Sequence, residues 1–291
     1  MIKLFNFCVE DEVRLGADCD GKLVDLTAIM IALGMEEEHI PTTTDEVIWT
    51  EVLPEIRLLA ARPDAVPIVG AIHFAPSLCE PEKILCIGKN YREHAAEMGG
   101  EPPKTPEVFS KLPNCLNAHG CDILLPATAE KYDYEAELCV VIGRECFDVS
   151  AEEAENCIFG YTGGMDFSVR EVQKRQSQWL LGKCFDGGCP LGPVIVPKED
   201  IDARNLRIRC LVNGEERQCS NTGMMIFSPA ELVSYISQYM TLFPGDCILT
   251  GTPAGVMMGY PAEKQVWLKD GDVVEVEIEG IGTLRNTMKK K

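Results

Sequence analysis

Residues 133–142 decide the fold of this chain, and they read Asp133-Tyr134-Glu135-Ala136-Glu137-Leu138-Cys139-Val140-Val141-Ile142. The apolar end of this stretch predicts a buried β-strand, and two glutamates stand two positions apart at its start. Side chains two positions apart point to the same face of a strand, so Glu135 and Glu137 share one face. Two carboxylates held this close repel each other unless a positive charge lies between them. A solvated acidic edge is the alternative, because glutamate is usually exposed.

A third carboxylate, Asp166, follows in the segment Gly163-Gly164-Met165-Asp166-Phe167-Ser168. Hard divalent cations prefer oxygen ligands, and three carboxylates leave about half of an octahedral magnesium shell free for substrate or water. Glu135, Glu137 and Asp166 therefore form a candidate site for a hard divalent cation, and carboxylate oxygens do not distinguish Mg²⁺, Mn²⁺ and Ca²⁺.

The composition is that of a globular protein and opposes two classes of partner. The chain has 291 residues, 46% of them hydrophobic and 25% charged, so it is long enough for one large core or two domains. Its net charge of −19 at pH 7 opposes binding to nucleic acid or to an anionic membrane, since both recruit Lys and Arg. No apolar stretch approaches the length of a membrane span.

The cysteines and the first residues predict a compartment. Fourteen cysteines scatter from Cys8 to Cys247 without a CxxC pair, which argues against a zinc site of the thiolate type. The first residues lack the layout of a signal peptide. We therefore expect reduced, buried thiols in a cytoplasmic protein.

The chain divides into two predicted parts. Residues 1–78 are expected to form a small N-terminal α+β domain, with strands over 1–8, 12–15 and 22–26 and helices over 27–33 and 45–53. The proline-containing stretch 75–81 predicts a linker. Residues 79–291 are expected to form a metal-binding catalytic domain.

Local signals in the second part predict mainly strands, with a few helices between them. A buried strand is expected over 84–88 and a helix over 89–98. Ser150 with Glu153, and Ser228 with Glu231, form capping boxes that begin two further helices. Asn213-Gly214 predicts a β-hairpin, and two strands are expected over 272–279 and 283–288. Without a regular βαβ alternation, the predicted fold class is α+β.

Several further segments occur in a fixed order. They are Gly88-Lys89-Asn90-Tyr91 with His94 and Glu97, Met165-Asp166-Phe167-Ser168-Val169-Arg170, Val172-Gln173, Gly182-Lys183-Cys184-Phe185-Asp186, the run from Leu242 to Val256 that contains Thr250-Gly251-Thr252-Pro253, Leu268-Lys269-Asp270-Gly271-Asp272, and Gly280-Ile281-Gly282-Thr283. Together with Tyr134-Glu135-Ala136-Glu137-Leu138 they cover about residues 84–288. Over this range the chain resembles the fumarylacetoacetate hydrolase family.

The resemblance implies a mixed β-sandwich roll catalytic domain with a smaller N-terminal domain, usually in homodimers. Members hold Mg²⁺ or Mn²⁺ on three carboxylates and hydrolyse, isomerise, decarboxylate or dehydrate small 2-oxo or enol acids. By position, the resemblance assigns the metal ligands to Glu135, Glu137 and Asp166, the active-site lysine to Lys183, the general-base pair to His94 and Glu97, and substrate contacts to Arg170, Gln173 and Thr252. Departures from the family's common residues at Leu112, Met165 and Glu171 bear on the substrate rather than on the ligands.

The assigned residues suit chemistry at a carbonyl group. His94 and Glu97 are three positions apart on a predicted helix and share a face. A carboxylate bonded to one imidazole nitrogen leaves the other free to take a proton from water. Lys183 would place a second positive charge beside an enolate, the alternative being a lysine at the surface. Gly99-Gly100 suggests a mobile lid, the alternative being a flexible loop.

Three functions follow. The favoured one is a metal-dependent hydrolase that cleaves a C–C bond in an acylpyruvate-type acid, because the His94–Glu97 pair could activate water and an isomerase or decarboxylase would not need this. The second is an isomerase or decarboxylase of a 2-hydroxy-2,4-dienedioate or a 2-oxo diacid. The third is a binding protein that keeps the scaffold without turnover. The predicted partners are a small 2-oxo or enol acid and a second copy of the chain, and neither nucleic acid nor a membrane.

Overall fold

A computed structural model describes the backbone of residues 1–291 and every side chain other than that of Glu37. The amino-terminal elements are β1 Ile2–Val9, β2 Glu12–Cys19, β3 Lys22–Asp25, α1 Leu26–Ala32, α2 Thr44–Trp49, α3 Leu53–Ala60 and β4 His73–Phe74. The elements of the middle region are β5 Ile84–Gly88, α4 Arg92–Glu97, β6 Glu107–Lys111, β7 Leu116–Asn117, β8 Asp122–Leu125, β9 Tyr132–Asp133, β10 Ala136–Ile142, α5 Ala151–Cys157, β11 Ile158–Met165, β12 Ser168–Val169, α6 Arg170–Gln173, α7 Leu180–Lys183 and β13 Cys189–Pro197. The carboxyl-terminal elements are β14 Arg207–Val212, β15 Glu215–Asn221, α8 Pro229–Ser237, β16 Cys247–Leu249, β17 Val273–Ile278 and β18 Gly282–Lys290. Short 3₁₀ helices cover Glu37–His39, Pro113–Cys115, Lys198–Asp200, Thr222–Met224, Met257–Gly259 and Ala262–Lys264.

Most strands belong to two sheets that enclose the main core. The larger sheet has the order β3-β2-β1-β13-β11-β10-β16-β5-β6, with β4 beside β1 and β7 beside β13. The smaller sheet has the order β15-β14-β17-β18-β8, and β9 pairs with β12 in a separate ribbon. Both sheets are mixed, since β16 runs parallel to β5 and β18 parallel to β8 among antiparallel neighbours. The predicted α+β class with a mixed β-sandwich roll is confirmed.

Strand β10 lies in the middle of the larger sheet and is buried on both faces. Its alternate residues Leu138, Val140 and Ile142 belong to the main core, together with residues of the smaller sheet. Cys139 and Val141 belong to a second apolar cluster. Burial on both faces explains why this stretch is an unbroken apolar run. It also fixes the register, because a slip of one residue would turn the adjacent carboxylate to the wrong face.

The amino-terminal region has a core of its own and also extends the larger sheet. Its apolar cluster includes Leu4, Leu15, Val24, Leu26, Met30, Val47 and Ile56. Strand β1 nevertheless pairs with β13, with Leu4 opposite Ile195. Arg57 reaches Asp200 at 2.7 Å and forms a further link to the rest of the chain. The division of the chain at residue 78 stays a prediction.

Three local signals from the sequence are confirmed. Ser150 and Ser228 each accept a hydrogen bond from the backbone N–H three residues later, so both capping boxes form. Asn213 and Gly214 join β14 to β15 with φ values of 54° and 80°. Both values lie in the left-handed region, which Asn and Gly adopt more readily than other residues.

Several element boundaries differ from those predicted. The helix expected over 45–53 ends at Trp49 and a separate helix begins at Leu53, with Glu51 at a φ of 55° between them. The helix expected over 89–98 begins only at Arg92, since Lys89 has a φ of 55°. The strand expected to carry both glutamates is interrupted, so Glu135 lies between β9 and β10 and only Glu137 lies within β10.

Two observations bear on the environment of the chain. Within the part of the chain that the structure describes, no helix is both long and apolar enough to cross a membrane. All fourteen cysteines are free thiols, and about half of them are buried. Buried thiols behave mainly as small apolar side chains.

The side chain of Asn6 ties β1 to α2 and offers a test of this junction. Its Nδ2 donates to Thr44 Oγ1 at 3.1 Å and to the Pro76 carbonyl at 2.9 Å, and its Oδ1 accepts from the Thr44 N–H at 2.8 Å. We expect Asn6→Ala to lower the free energy of unfolding by about 1–3 kcal/mol, because it leaves buried partners unpaired. Urea denaturation measures this loss. Asn156→Ala, at an exposed position of α5, should change it by less than about 0.5 kcal/mol, and an equal effect of both changes would contradict the assignment.

Candidate metal centre and acid–base pair

The three predicted metal ligands converge on one buried point. Glu135 directly precedes β10, Glu137 lies within it, and Asp166 directly follows β11. The two strands are antiparallel, with Ala136 opposite Met165, and the Asp166 N–H donates to the Glu135 carbonyl oxygen at 3.0 Å. One carboxylate oxygen of each ligand lies within 4.8 Å of the others, and all three side chains are buried. Strand pairing thus brings together carboxylates that are distant in sequence.

Three buried cations surround these carboxylates. Lys183 Nζ lies 2.6 Å from a carboxylate oxygen of Glu135 and 2.6 Å from one of Asp166. Lys111 Nζ, at the end of β6, lies 2.6 Å from the other oxygen of Asp166. Arg170 Nη2 lies 2.6 Å from Glu135. Because Lys183 is only 2% exposed, the alternative of a surface lysine is wrong.

The carboxylates differ in how well their charge is compensated. Burial disfavours the ionised form of Glu135, but Arg170 and Lys183 outweigh it and lower the pKa of this carboxyl. Burial raises the pKa of Glu137 well above its usual value, and the carboxylates of Asp166 and Glu135 raise it further. Among the described side chains no cation forms an ion pair with Glu137, whose Oε2 accepts only the Gly251 N–H at 2.7 Å. Positive charge is therefore missing beside Glu137.

A divalent cation fits this arrangement. The donors are all carboxylate oxygens, which suit Mg²⁺, Mn²⁺ and Ca²⁺. Carboxylate oxygens of the three residues lie within 4.8 Å of one another, and Lys183 pairs with Glu135 and Asp166 but not with Glu137. A cation held there by Glu135, Glu137 and Asp166 would relieve the repulsion among them.

His94 and Glu97 form the predicted pair on α4. His94 Nδ1 lies 3.0 Å from Glu97 Oε2, and His94 is buried. Because an ionised carboxylate only accepts hydrogen bonds, this contact places the proton of a neutral imidazole on Nδ1 and leaves Nε2 free to accept. The helix ends before Gly99, which has a φ of 73°. The mobile lid at Gly99-Gly100 stays a prediction.

The loop over 251–259 contacts both the end of α4 and the residue Glu137. The Gly255 N–H donates to Glu97 Oε1 at 2.9 Å, so both oxygens of this carboxylate are engaged. A side chain at Gly259 would meet Glu97 Cδ at 2.3 Å, so only glycine leaves room for the observed position of Glu97. Gly251 has a φ of 95° and offers its N–H to Glu137. This loop therefore holds both a metal ligand and the base pair.

Two of the side chains predicted to contact substrate, Arg170 and Thr252, already bind other protein groups. Two nitrogens of the Arg170 guanidinium donate hydrogen bonds, Nε to Asp133 at 2.8 Å and Nη1 to Gln173 at 3.1 Å, and Nη2 forms an ion pair with Glu135 at 2.6 Å. The Thr252 hydroxyl donates to the Ala136 carbonyl oxygen at 2.9 Å and accepts from Gln218 Nε2 at 2.8 Å. Arg170 and Thr252 therefore shape the wall of the site and hold its ligands.

A cavity of about 90 Å³ is lined by two candidate metal ligands and by His94. Its predicted lining residues are His94, Glu135, Glu137, Arg170, Gln173, Lys183 and Thr252. Sequence reasoning missed the remaining lining residues as parts of a site, and they are Ile87, Gly88, Lys89, Met98, Phe109, Trp179 and Met258. Most of them are apolar, and Trp179 packs edge-on against Phe109 with ring centroids 5.3 Å apart. The cavity thus has one ionic wall and one apolar wall.

Lys111 and Asp133 were also missed as parts of the site. Glu107, Phe109 and Lys111 alternate along β6, so strand periodicity could have placed Lys111 on the same face as Phe109. Asp133 is buried beside Arg170 and stands two positions before Glu135. An acidic residue at this spacing could have been included with the two glutamates.

Comparisons with known proteins identify the family of this chain. The family model "Fumarylacetoacetate (FAA) hydrolase C-terminal" matches residues 83–289. The chain belongs to this family. Rattus norvegicus "Oxaloacetate tautomerase Fahd2a, mitochondrial" is 42% identical over 282 residues, which cover 95% of this chain and 87% of that protein. The suspected relationship is confirmed.

Two solved structures of the fumarylacetoacetate hydrolase family are similar to this chain. One is the fumarylacetoacetate hydrolase of psychrophilic Exiguobacterium antarcticum, with a TM-score of 0.89, 32% identity and 100% coverage of both chains. The other is the fumarylpyruvate hydrolase of Pseudomonas aeruginosa in complex with Mn²⁺ and pyruvate. It has a TM-score of 0.66 and 31% identity, and the match covers 80% of this chain and 94% of that one.

Metal binding at the three carboxylates should raise thermal stability. With Mn²⁺ at about 100 times its Kd, we expect about 2.7 kcal/mol of stabilisation and a rise in Tm of about 5 °C. Glu137→Gln should abolish most of this rise, because it removes a ligand charge. Differential scanning calorimetry with and without a chelator measures both effects. Glu36→Gln, in the exposed group Glu36, Glu38 and His39, is the matched control and should keep the full rise. Equal responses of the two variants would contradict the site.

The close approach of Gly259 to Glu97 generates a second test. Gly259→Ala should push the Glu97 carboxylate away from His94 while changing Tm little, because the atoms that clash belong to a flexible side chain. Nitrogen NMR of the His94 ring should then show loss of the hydrogen-bonded Nδ1–H signal, as in Glu97→Ala, which removes the acceptor. An unchanged signal in Gly259→Ala would show that this glycine does not position the pair.

Proposed function

We propose that this protein is a divalent-metal-dependent enzyme that interconverts the keto and enol forms of a short 2-oxo diacid of the oxaloacetate type. The observation that carries the proposal is that His94 lines the same cavity as Glu135 and Glu137, and that this cavity is small. A proton acceptor and a place for oxyanion charge are what enolisation requires. The relative named as an oxaloacetate tautomerase covers nearly the whole chain and supports the choice of substrate.

The volume of the cavity favours a short acid. The space beside the carboxylates is about 90 Å³. It suits the short chain of a 2-oxo diacid better than a long acyl group. Lys89 provides a cation in the cavity lining for a second carboxylate, and it is otherwise paired with Glu107 at 3.3 Å.

The reaction moves one proton between carbon and oxygen. His94 Nε2 takes a proton from C3 of the keto form, the C–H electron pair becomes the C2–C3 double bond, and negative charge develops on the C2 oxygen. The protonated His94 then returns this proton to the C2 oxygen, which gives the enol and restores the neutral imidazole, and the reverse sequence returns the keto form. Glu97 keeps the imidazole in the tautomer that can accept the proton and stabilises its charged form. The ammonium of Lys183 is the cation in the cavity lining that can share the developing oxyanion charge.

The metal supplies one further contribution. Mg²⁺, or Mn²⁺ or Ca²⁺ in its place, held by Glu135, Glu137 and Asp166, would provide Lewis-acid stabilisation of negative charge on the substrate oxygens. Arg170 and the Gly251 N–H keep Glu135 and Glu137 in position for it.

Hydrolysis of an acylpyruvate, which the sequence favoured, is the second candidate. The same His94–Glu97 pair could take a proton from water, and a similar solved structure is a fumarylpyruvate hydrolase. This reaction needs room for the acyl group and for the attacking water in addition to the pyruvyl part. The small cavity is therefore the reason to rank it second. An isomerase of a 2-oxo diacid would use the same groups as the tautomerase.

A homodimer in the cytoplasm is proposed as the setting. The resemblance to the family supports the dimer, and the scattered free thiols support a reducing compartment. Sedimentation velocity tests the first statement, and fractionation of the source cells tests the second.

The direct test follows the ultraviolet absorbance of enol-oxaloacetate with Mg²⁺ or Mn²⁺. We expect the enzyme to speed its decay, and His94→Gln to lower kcat by about 10²–10⁴-fold, because general acid–base catalysis contributes about this much. His119→Gln is the matched control, since His119 lies outside the cavity lining and accepts from the Arg285 N–H at 3.1 Å.

Other substrates separate the candidates. Cleavage of an acylpyruvate to pyruvate, without tautomerisation of oxaloacetate, would replace the tautomerase by the hydrolase. Tight oxalate binding without turnover of either substrate would favour a binding protein. Full activity of His94→Gln would refute the proton-transfer role.

A further inference from the structure

Asp133 is a buried carboxylate that does not line the cavity, yet it makes an unusual number of contacts. Its Oδ1 accepts from the Tyr134 N–H at 2.9 Å and from the Met257 N–H at 2.8 Å. Its Oδ2 accepts from Arg170 Nε at 2.8 Å and from the Met258 N–H at 2.9 Å. A carboxylate has about four acceptor sites, so the capacity of Asp133 is filled. Fully satisfied buried groups of this kind hold their neighbours rigidly.

The contact of Asp133 with Arg170 leads to the candidate metal ligand Glu135. Asp133 fixes Nε of Arg170, and the same guanidinium places Nη2 2.6 Å from Glu135 and donates from Nη1 to Gln173 at 3.1 Å. A planar guanidinium held at several of its nitrogens has one orientation. The position of Glu135 therefore depends on Asp133 through Arg170.

The contacts of Asp133 with the Met257 and Met258 N–H groups lead to the His94–Glu97 pair. Met257 and Met258, whose N–H groups Asp133 accepts, lie between Gly255 and Gly259 in the chain. Gly255 donates its N–H to Glu97, and Gly259 leaves room for the Glu97 carboxylate because it has no side chain. The position of Glu97, and through it of His94, therefore also depends on Asp133.

We propose that Asp133 is a positioning residue that sets the distance between the metal ligands and the His94–Glu97 pair. Both halves of the site are tied to the two oxygens of one carboxylate, so a shift of Asp133 moves the halves relative to each other. A misplacement of about 1 Å can cost about 10²-fold in rate. The kinetic part of this inference rests on the proposed function, whereas the binding and exchange measurements below need no substrate.

The test uses two matched substitutions of buried carboxylates. Asp133→Asn keeps the shape of the side chain but turns an NH₂ group toward donors on one side. Asp246→Asn is the control, because Asp246 is also buried and accepts from Lys83 Nζ at 3.0 Å and from the Lys83 and Phe243 N–H groups at 2.8 Å each. Asp246 lies outside the cavity lining, so its loss should affect stability without affecting the site.

We expect Asp133→Asn to weaken Mn²⁺ binding by about 10–100-fold in isothermal titration calorimetry, as loss of a ligand-orienting partner does elsewhere. We also expect faster hydrogen exchange at the Gly255 N–H and a lower kcat, whereas Asp246→Asn should keep all three near their original values. If Asp133→Asn and Asp246→Asn have the same Mn²⁺ affinity and the same hydrogen exchange at the Gly255 N–H, the proposal is overturned. Weakened Mn²⁺ binding with unchanged exchange at Gly255 would also overturn it, because the link to Glu97 would then be absent.

A measurement on the unsubstituted protein applies even where Asp133→Asn does not fold. Coupling is reciprocal, so Mn²⁺ should slow exchange at the N–H groups of Gly255, Met257 and Met258 more than at the Phe243 N–H, which Asp246 accepts. Equal effects on both groups would refute the coupling. These outcomes hold whether or not oxaloacetate is turned over, so failure of the proposed function and failure of the positioning role can be told apart.

Discussion

The need to compensate buried negative charge governs this molecule. Asp133, Glu135, Glu137 and Asp166 are all buried, and an isolated carboxylate in such a place costs several kcal/mol. Three buried cations form ion pairs with these carboxylates. The cations come from three different elements, namely Lys111 on β6, Arg170 on α6 and Lys183 on α7. The charge cluster thereby constrains how these elements pack. One formal negative charge is left over, and a bound cation would compensate it.

The two sheets supply the rigidity that this cluster needs. Strand β10 is buried on both faces, and its pairing with β11 sets where Glu137 and Asp166 lie. The loop over 251–259 contacts Glu137 and Glu97 with backbone N–H groups and glycines rather than with long side chains. The strands place the candidate metal ligands and the loop contacts the His94–Glu97 pair, and Asp133 joins these two parts of the fold.

Short-range patterns in the sequence predicted much of this arrangement. The spacing of Glu135 and Glu137 and the apolar run after them indicated a buried strand beside a cation site. Capping boxes and the Asn-Gly turn located three further boundaries. The left-handed residues Lys89 and Glu51 were not foreseen, because any residue can take this conformation when tertiary contacts require it.

Longer-range contacts were harder to read from the sequence. Lys111 looked like an ordinary polar residue of a short strand, and only the pairing of β6 with β5 carries it to Asp166. Asp133 reaches Met257 and Met258, which are more than a hundred positions away. The roles of Arg170 and Thr252 likewise depend on which partners already occupy their polar atoms.

The pairing of β1 with β13 has a consequence for how the chain can be shortened. A fragment that begins near residue 79 would lose the neighbour of Ile195 and would present part of β13 as an open strand edge. Open edges recruit other chains by forming new ladders, which leads to aggregation. The amino-terminal region therefore also covers an edge of the larger sheet, and its deletion should favour self-association.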